Sequence, residues 1–359
     1  MKFKKVLEKV SFITTVYDEE KDILIFLSSL MDQRVMPAEI VIVDGGSRDN
    51  TLDTIIEYFK GLIPETMEAK KSHDFLIYEG KLLFGTRSFT KIKIIEKKGA
   101  NISQGRNIAI RNTECDFICV SDAGCILDKN WIYEIAKDIS SANSIDASGG
   151  FNFPIIKNFL HACLAVCIMP RKTEINPRKY MPSSRNLGFK KISWLSVGGY
   201  PENMDYGEDM KFNFNIRTAG FNIIFNPDAI VYWKMRENLK DVFKQFFRYA
   251  KGDAIGNMYF YRHLIRFFSI FIFIAIIVIS VIFSPWFLAA FALLFFIYTF
   301  KPYSRTNHVW KNSPVYNTSI FKKKVSIIPA IFFIPLLLVY IDIAKIFGYI
   351  YGIFHKKNI

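Results

Sequence analysis

The sequence predicts an α/β domain on a mostly parallel sheet, followed by C-terminal transmembrane helices. Three observations carry this reading. Strand-length apolar runs alternate with helical patterns, the mark of parallel βα units. One of those runs, Asp116-Phe117-Ile118-Cys119-Val120-Ser121-Asp122-Ala123-Gly124, is apolar enough for a strand buried on both faces and stops abruptly in an acid and small residues. The hydrophobic content of 51% and the 35 phenylalanines are concentrated after Arg266, so a membrane part follows a soluble one.

Taken in order, Val10 to Val16 forms the first strand and Tyr17-Asp18-Glu19-Glu20 follows it. A helix runs from Asp22 to Gln33 with Ile23, Phe26, Leu27 and Leu30 at helical spacing. Pro37 punctuates, and Glu39 to Val43 is a second strand ending in Asp44, with Gly45-Gly46-Ser47 as a sharp exit. The next helix begins near Thr51. The same order repeats at Lys91–Glu96 with Ser103–Asn112, and at Phe117–Ser121 with Lys129–Ala142. Between Pro64 and Thr90 the pattern breaks, and Leu76 to Gly85 reads as a surface hairpin. Ser148 to Phe153 restarts strand character, Asn158 to Met169 is an apolar helix, and Met181 to Pro201 is extended and turn-rich. A helix starts near Gly207 and stops at Gly220, and Phe221–Phe225 is one more strand.

Glu237 to Ala250 is an amphipathic helix whose stripe is Leu239, Val242, Phe243, Phe246, Phe247 and Ala250, with Gln245, Arg248 and Gly252 on another face. Arg266 to Phe300 is almost unbroken apolar sequence. A single helix there would be ~50 Å long against about 30 Å of hydrocarbon, so two short helices turning near Pro285 are predicted. The loop after them carries Lys301, Arg305, Lys311 and Lys322-Lys323-Lys324, which the positive-inside rule puts in the cytoplasm. Ile327 to Ile353 is either a third pass or an interfacial helix, interrupted by Asp342 and Lys345.

Net charge +14 and pI ≈ 9.4 make the chain strongly basic. No nucleic-acid-binding motif accompanies that charge, so nucleic acid is not an expected partner; lysines flanking apolar segments suit anionic membrane lipids instead. The five cysteines match neither a disulfide framework nor a zinc spacing. His161, His263 and His308 lack partners at metal-ligand spacing. The basic start, Met1 to Lys9, has no apolar h-region, so no cleaved signal peptide is expected and the first domain stays cytoplasmic.

Acids supply the functional signal. Asp18 and Glu19, Asp44, and Asp122 each follow a predicted buried strand. Singly, each reads equally as a turn or N-cap residue. Together they lie at the strand ends where α/β sheets bind ligands, as a nucleotide with its diphosphate and a divalent cation would require. Arg106 at a helix start adds a charge for base or phosphates. Glu208-Asp209 at another helix start either complements the helix dipole or supplies a general base.

These stretches resemble a family 2 glycosyltransferase of the GT-A fold, Rossmann-like and membrane-anchored. The matches are Thr15-Val16-Tyr17-Asp18-Glu19-Glu20, Val43-Asp44-Gly45-Gly46-Ser47-Arg48-Asp49-Asn50-Thr51, Gly105-Arg106-Asn107, Ser121-Asp122-Ala123-Gly124, and Gly198-Gly199-Tyr200-Pro201 leading to Glu208-Asp209. The resemblance implies that Thr15, Tyr17, Glu19 and Asp44 line a nucleotide pocket with Arg106 beside it. It implies Asp122 as the metal-associated acid for Mg2+ or Mn2+. Asp209, next to Glu208, is implied as the base of an inverting transfer from a nucleoside-diphosphate sugar to a lipid-linked or glycan acceptor. Gln245-Phe246-Phe247-Arg248-Tyr249 resembles a Gln-x-x-Arg-Trp element placed over the donor pyrophosphate. Gly124 stands where many members have a second Asp, a departure that bears on metal coordination; Tyr249 replaces the Trp, so processive synthesis is not carried over.

The implied organisation is a cytoplasmic catalytic domain over 1–236, an amphipathic interfacial region over 237–265 and a membrane region over 266–359. Two alternatives stand beside it. A sugar nucleotidyltransferase would carry a Gly-rich, Arg-containing loop where Tyr17-Asp18-Glu19-Glu20 stands. An inactive membrane scaffold that keeps the fold draws support from Gly124 alone.

Overall fold

The computed structural model describes residues 4–63, 67–72, 74–84, 88–141, 144–312 and 327–356. Expectations that fall on Met1-Lys2-Phe3, Pro64, Gly85, Ala142, Lys322, Lys323, Lys324 and Lys357 lie outside the described residues. The chain divides into two compact units, Met1–Phe153 with Ile175–Trp233, and Pro154–Glu174 with Lys234–Ile359.

The first unit begins with β1 (Lys5–Val16), α1 (Ile23–Met31), β2 (Val35–Asp44), α2 (Thr51–Lys60), β3 (Glu68–Ser72), β4 (Phe75–Phe84), β5 (Ser88–Glu96) and α3 (Ile102–Arg111). It continues with β6 (Phe117–Val120), β7 (Cys125–Leu127), α4 (Trp131–Ser141) and β8 (Ala147–Ile155). After α5 (Phe159–Ile168), which lies in the second unit, come β9 (Leu187–Lys190), α6 (Lys191–Ser196), α7 (Glu208–Thr218) and β10 (Ile223–Lys234).

Among the described residues these strands form one sheet in the order β3-β4-β5-β2-β1-β6-β9-β8-β10-β7. Its centre is the parallel array the sequence predicts: β1 pairs in parallel with β2 and β6, and β2 with β5. Antiparallel strands extend it on both flanks, through β4 on β5 and through β9 on β6. Alternation along β1 splits the core between two faces. Phe12 packs with Phe26, Leu27, Ile55, Phe59, Trp131 and Ile135, which belong to α1, α2 and α4. Ile13 packs with Ile108, Trp194, Phe212 and Ile216, from α3, α6 and α7. Phe12 and Ile13 are both fully buried, and each such side chain contributes about 1.5–3 kcal/mol. Helices on both faces explain why these strands read as continuous apolar runs.

Three expectations are corrected. Pro37 does not end an element but lies inside β2, opposite Leu7, where the β1–β2 register shifts before Ser11; a proline, which cannot donate to the ladder, is tolerated at such an irregularity. Leu76 to Gly85 is not a hairpin. Its described part, Leu76 to Phe84, belongs to the single strand β4, paired to β3 on one side and β5 on the other, with Gly80 opposite Ile92. A glycine read as a turn marks the spot where Ile63 packs on the strand. The stretch Met181 to Pro201 holds β9 and α6, elements too short to show a period. The added strand β7, three residues long, was likewise invisible as a pattern.

The second unit holds α5, α8 (Leu239–Ile255), α9 (Phe260–Ile282), α10 (Phe287–Asn312) and α11 (Ile327–His355). Asn158 and Asn238 cap α5 and α8 through their side chains. The break between α9 and α10 falls at Ser284-Pro285, as predicted. The two helices are longer than expected: Phe260–Ile282 and Phe287–Thr306 are 23 and 20 residues long, each long and apolar enough to cross a membrane by length and composition. Pro329–His355 meets the same test with 27 residues.

Asp342 and Lys345 do not interrupt α11. Asp342 accepts from Arg266 Nε at 2.6 Å and from Tyr298 OH at 2.7 Å, so its charge is matched by α9 and α10. The α11 helix lies against α8 at Gly348 and Gly352. A Cβ there would come within 2.1 Å of the Phe247 carbonyl oxygen and 2.7 Å of that of Lys251. Small residues four apart allow this backbone approach.

Candidate active site

The helix α3 organises the site. Its N-terminus is closed by a capping box: the Asn101 side chain accepts from the Gln104 N–H at 2.9 Å, and the Gln104 side chain accepts from the Asn101 N–H at 3.0 Å. Gly105 lets this helix press on β1, since a Cβ there would lie 2.7 Å from Thr15 Cγ2. The next residue, Arg106, is therefore carried into the interior at the ends of the central strands, where it is 1% exposed.

A buried guanidinium must be paired, and Arg106 is paired twice. Its Nη2 donates to Asp122 Oδ1 and its Nη1 to Glu208 Oε1, both at 2.8 Å. The Tyr200 ring lies 5.2 Å from its centre. Burial works against its charge, but Asp122 and Glu208 outweigh burial and raise its pKa above the ordinary value. Asn107 finishes the work of the helix. It donates to the Tyr200 carbonyl and to Glu202 Oε1, both at 2.8 Å, and accepts from the Tyr200 N–H and Trp194 Nε1, both at 2.9 Å. The loop Gly198-Gly199-Tyr200-Pro201 is thus fastened to α3, and α7 with Glu208-Asp209 follows it.

Glu208 and Asp209 open α7 behind Gly207, which takes φ 73°. Glu208 is buried; burial and the neighbouring Asp209 carboxylate push it up to about 7 against the pull of Arg106. Asp209 is half-buried and accepts from its neighbour's N–H, Met210, at 2.8 Å and from the Ser184 N–H at 3.4 Å.

Thr15, Tyr17, Glu19 and Asp122, together with Gly45, Asn101 and Gly105, line a cleft of about 250 Å3 at the carboxyl ends of β1, β2 and β6. Asp44 lies behind the Gly45 wall of that cleft at 1% exposure. Its Oδ1 accepts from the Gly46 and Ser47 N–H groups at 2.8 and 2.9 Å. Arg106 likewise stands behind the lining, joined to Asp122. Gln245 and Arg248 belong to the second unit, on α8. Gln245 is buried, accepting from Arg236 Nε at 3.1 Å and donating to Tyr249 OH at 2.9 Å, while Arg248 is exposed.

Asp122 is the candidate cation ligand. Its side chain is 33% exposed at the cleft, and among the described residues no group of three or more His, Cys, Asp or Glu could hold a metal ion. A single hard carboxylate fits Mg2+ or Mn2+ where substrate phosphates complete the shell.

Sequence reasoning missed Asn107 and the segment Ser183–Asn186. Asn107 stood beside Arg106 in a quoted motif but carries no charge to draw notice. The 183–186 segment is placed by β9, whose register only the paired sheet reveals.

A family model described as glycosyl transferase family 2 matches residues 11–74, and one described as glycosyl transferase family group 2 matches residues 172–301. Both matches support a glycosyltransferase of family 2. Poly-beta-1,6-N-acetyl-D-glucosamine synthases are its relatives: that of Staphylococcus epidermidis is 22% identical and that of Staphylococcus aureus 24% identical, each over 68% of this chain and 55% of the relative. The chain therefore spans about half the length of these curated relatives. A mannosyltransferase of Pyrobaculum calidifontis, solved with GDP-Man and Mn2+, superposes with a TM-score of 0.54 at 14% identity, covering 96% of this chain and 86% of that one. Likeness at that level establishes the GT-A fold.

Proposed function

We propose that the chain is an inverting glycosyltransferase. It moves a sugar from a nucleoside-diphosphate sugar to a lipid-linked or glycan acceptor at the cytoplasmic face of a membrane, in the biosynthesis of an envelope polysaccharide. The observation that carries the reading is the Arg106 bridge. One buried cation ties the carboxylate at the cleft, Asp122, to the helix start that bears Asp209. Carboxylates distant in sequence are thereby fixed around one place, as transfer from a bound diphosphate requires.

Thr15, Tyr17 and Glu19 hold the nucleoside, with Asp44 bracing the Gly45 wall. Asp122 holds Mg2+ or Mn2+ against the donor phosphates, and the ion, when bound, offsets charge that builds on the departing diphosphate. Asp209, at the start of α7, takes the proton of the acceptor hydroxyl. Glu208 keeps Arg106 in position. Gln245 and Arg248 on α8 are assigned to the donor pyrophosphate on the resemblance of their motif alone. Residues 1–236 form the cytoplasmic catalytic domain, 237–265 an interfacial region and 266–359 a multi-pass membrane region. Fastened polar side chains around one cleft favour this reading over an inactive scaffold.

The test uses the full chain in detergent, a panel of nucleoside-diphosphate sugars and extracted lipid-linked acceptors. Asp209→Asn should reduce transfer by about 10²–10⁴-fold while nucleotide binding persists. Unchanged turnover in that variant removes Asp209 as the base.

A further inference from the structure

The antiparallel pairing of β6 with β9 places a cation beside Asp122, the carboxylate at the cleft, that sequence motifs do not mark. Val120 lies opposite Leu187, so continuing the register past the strand ends sets Ser121 against Asn186 and Asp122 against Arg185. The structure bears this out: Ser121 Oγ donates to the Arg185 carbonyl at 2.7 Å, and Arg185 Nε lies 3.8 Å from Asp122 Oδ2. On its other side the Arg185 guanidinium lies on the Trp233 ring, 4.1 Å from the centre. Trp233 is fixed there because β10 pairs it with Cys125, at the end of the turn that begins with Asp122. Ser184, the preceding residue, reaches Asp209 through its N–H and Tyr200 OH through its hydroxyl, the latter at 2.9 Å. A single short segment thus runs from the proposed base to the proposed cation ligand, with a planar cation at its far end.

We infer that Arg185 is a ligand of the donor diphosphate and carries the charge of the leaving group, a role that rests on the reading of this cleft as a donor site. During transfer the bond between the sugar's anomeric carbon and the β-phosphate oxygen breaks, and its electron pair stays on that oxygen. The acceptor oxygen bonds to the anomeric carbon and its proton passes to Asp209. The nucleoside diphosphate leaves with one more negative charge than it carried in the donor. Arginine's fork of N–H donors suits phosphate oxygens, and the Trp233 ring holds its plane in place.

Calorimetric titration of the full chain with UDP and GDP, and with uridine and guanosine, reads this role directly. In Arg185→Gln the preference for diphosphate over nucleoside should fall by about tenfold or more, with nucleoside affinity kept. Arg185→Lys, which keeps the charge but not the fork, should fall between Gln and wild type. An unchanged preference in Arg185→Gln overturns the inference. So does an equal loss for nucleoside and diphosphate, which makes Arg185 a support of the cleft. Failure of wild type to bind any of the four removes the donor-site reading itself, a result distinct from either of these.

Discussion

Asp44 and Asp122 are the same local sentence read in two places. Each ends or follows a central strand, and each is succeeded by small residues, yet the sheet puts them to opposite uses. After Asp44 the chain doubles back through Gly46 and Ser47, and their N–H groups take up the carboxylate. After Asp122 the chain passes into β7, and the carboxylate stays at the cleft, partnered by Arg106 from another helix. An acid at a strand end is open to a ligand only when its own turn does not consume it. The path of the backbone beyond the acid decides between the two uses, more than composition does.

The contrast can be broken by exchanging each acid for its amide. Asp122→Asn should cut transfer by about a hundredfold or more, the rate equivalent of roughly 3 kcal/mol of lost charge stabilisation, and this is its main expected effect beside the weakening of one of the two Arg106 pairs. Asp44→Asn should do the reverse, lowering stability by about 1–3 kcal/mol because the amide nitrogen that replaces Oδ2 cannot accept from the Ser47 hydroxyl, with a smaller loss of turnover. Comparable turnover losses in the two variants would erase the distinction.

A smaller effect sharpens it from the other end of the bridge. Glu208 is raised in the folded chain, so its protonated form favours the fold. Its contribution is complete below the ordinary value of 4.5 and lost as pH rises through about 7. Thermal melts of Glu208→Gln should therefore show a flatter decline over that window than wild type; a decline of equal steepness assigns the pH dependence elsewhere.

The parallel core and the membrane helices were legible because their periods are long. Strands such as Glu39–Val43 are buried on both faces, and the helix Phe260–Ile282 is apolar from Phe267 onward but for Ser269 and Ser280. What escaped was set by pairing. β9 and β7 are four and three residues long, too short for a pattern. Gly80 and Pro37 mimic turn signals while sitting in a ladder. In the candidate site, charged residues in motifs can be named from sequence, but their partners cannot. That Arg106 faces two acids, and that Arg185 is set opposite Asp122, comes from helix docking and strand register, which link residues 102 and 63 positions apart.

The most direct test is titration of nucleoside diphosphate with and without Mn2+ into wild type, Asp44→Asn and Asp122→Asn. With Asp122 serving the ligand and Asp44 serving its turn, the gain in affinity from Mn2+ should vanish in Asp122→Asn and survive in Asp44→Asn. A gain that survives in Asp122→Asn would contradict the account.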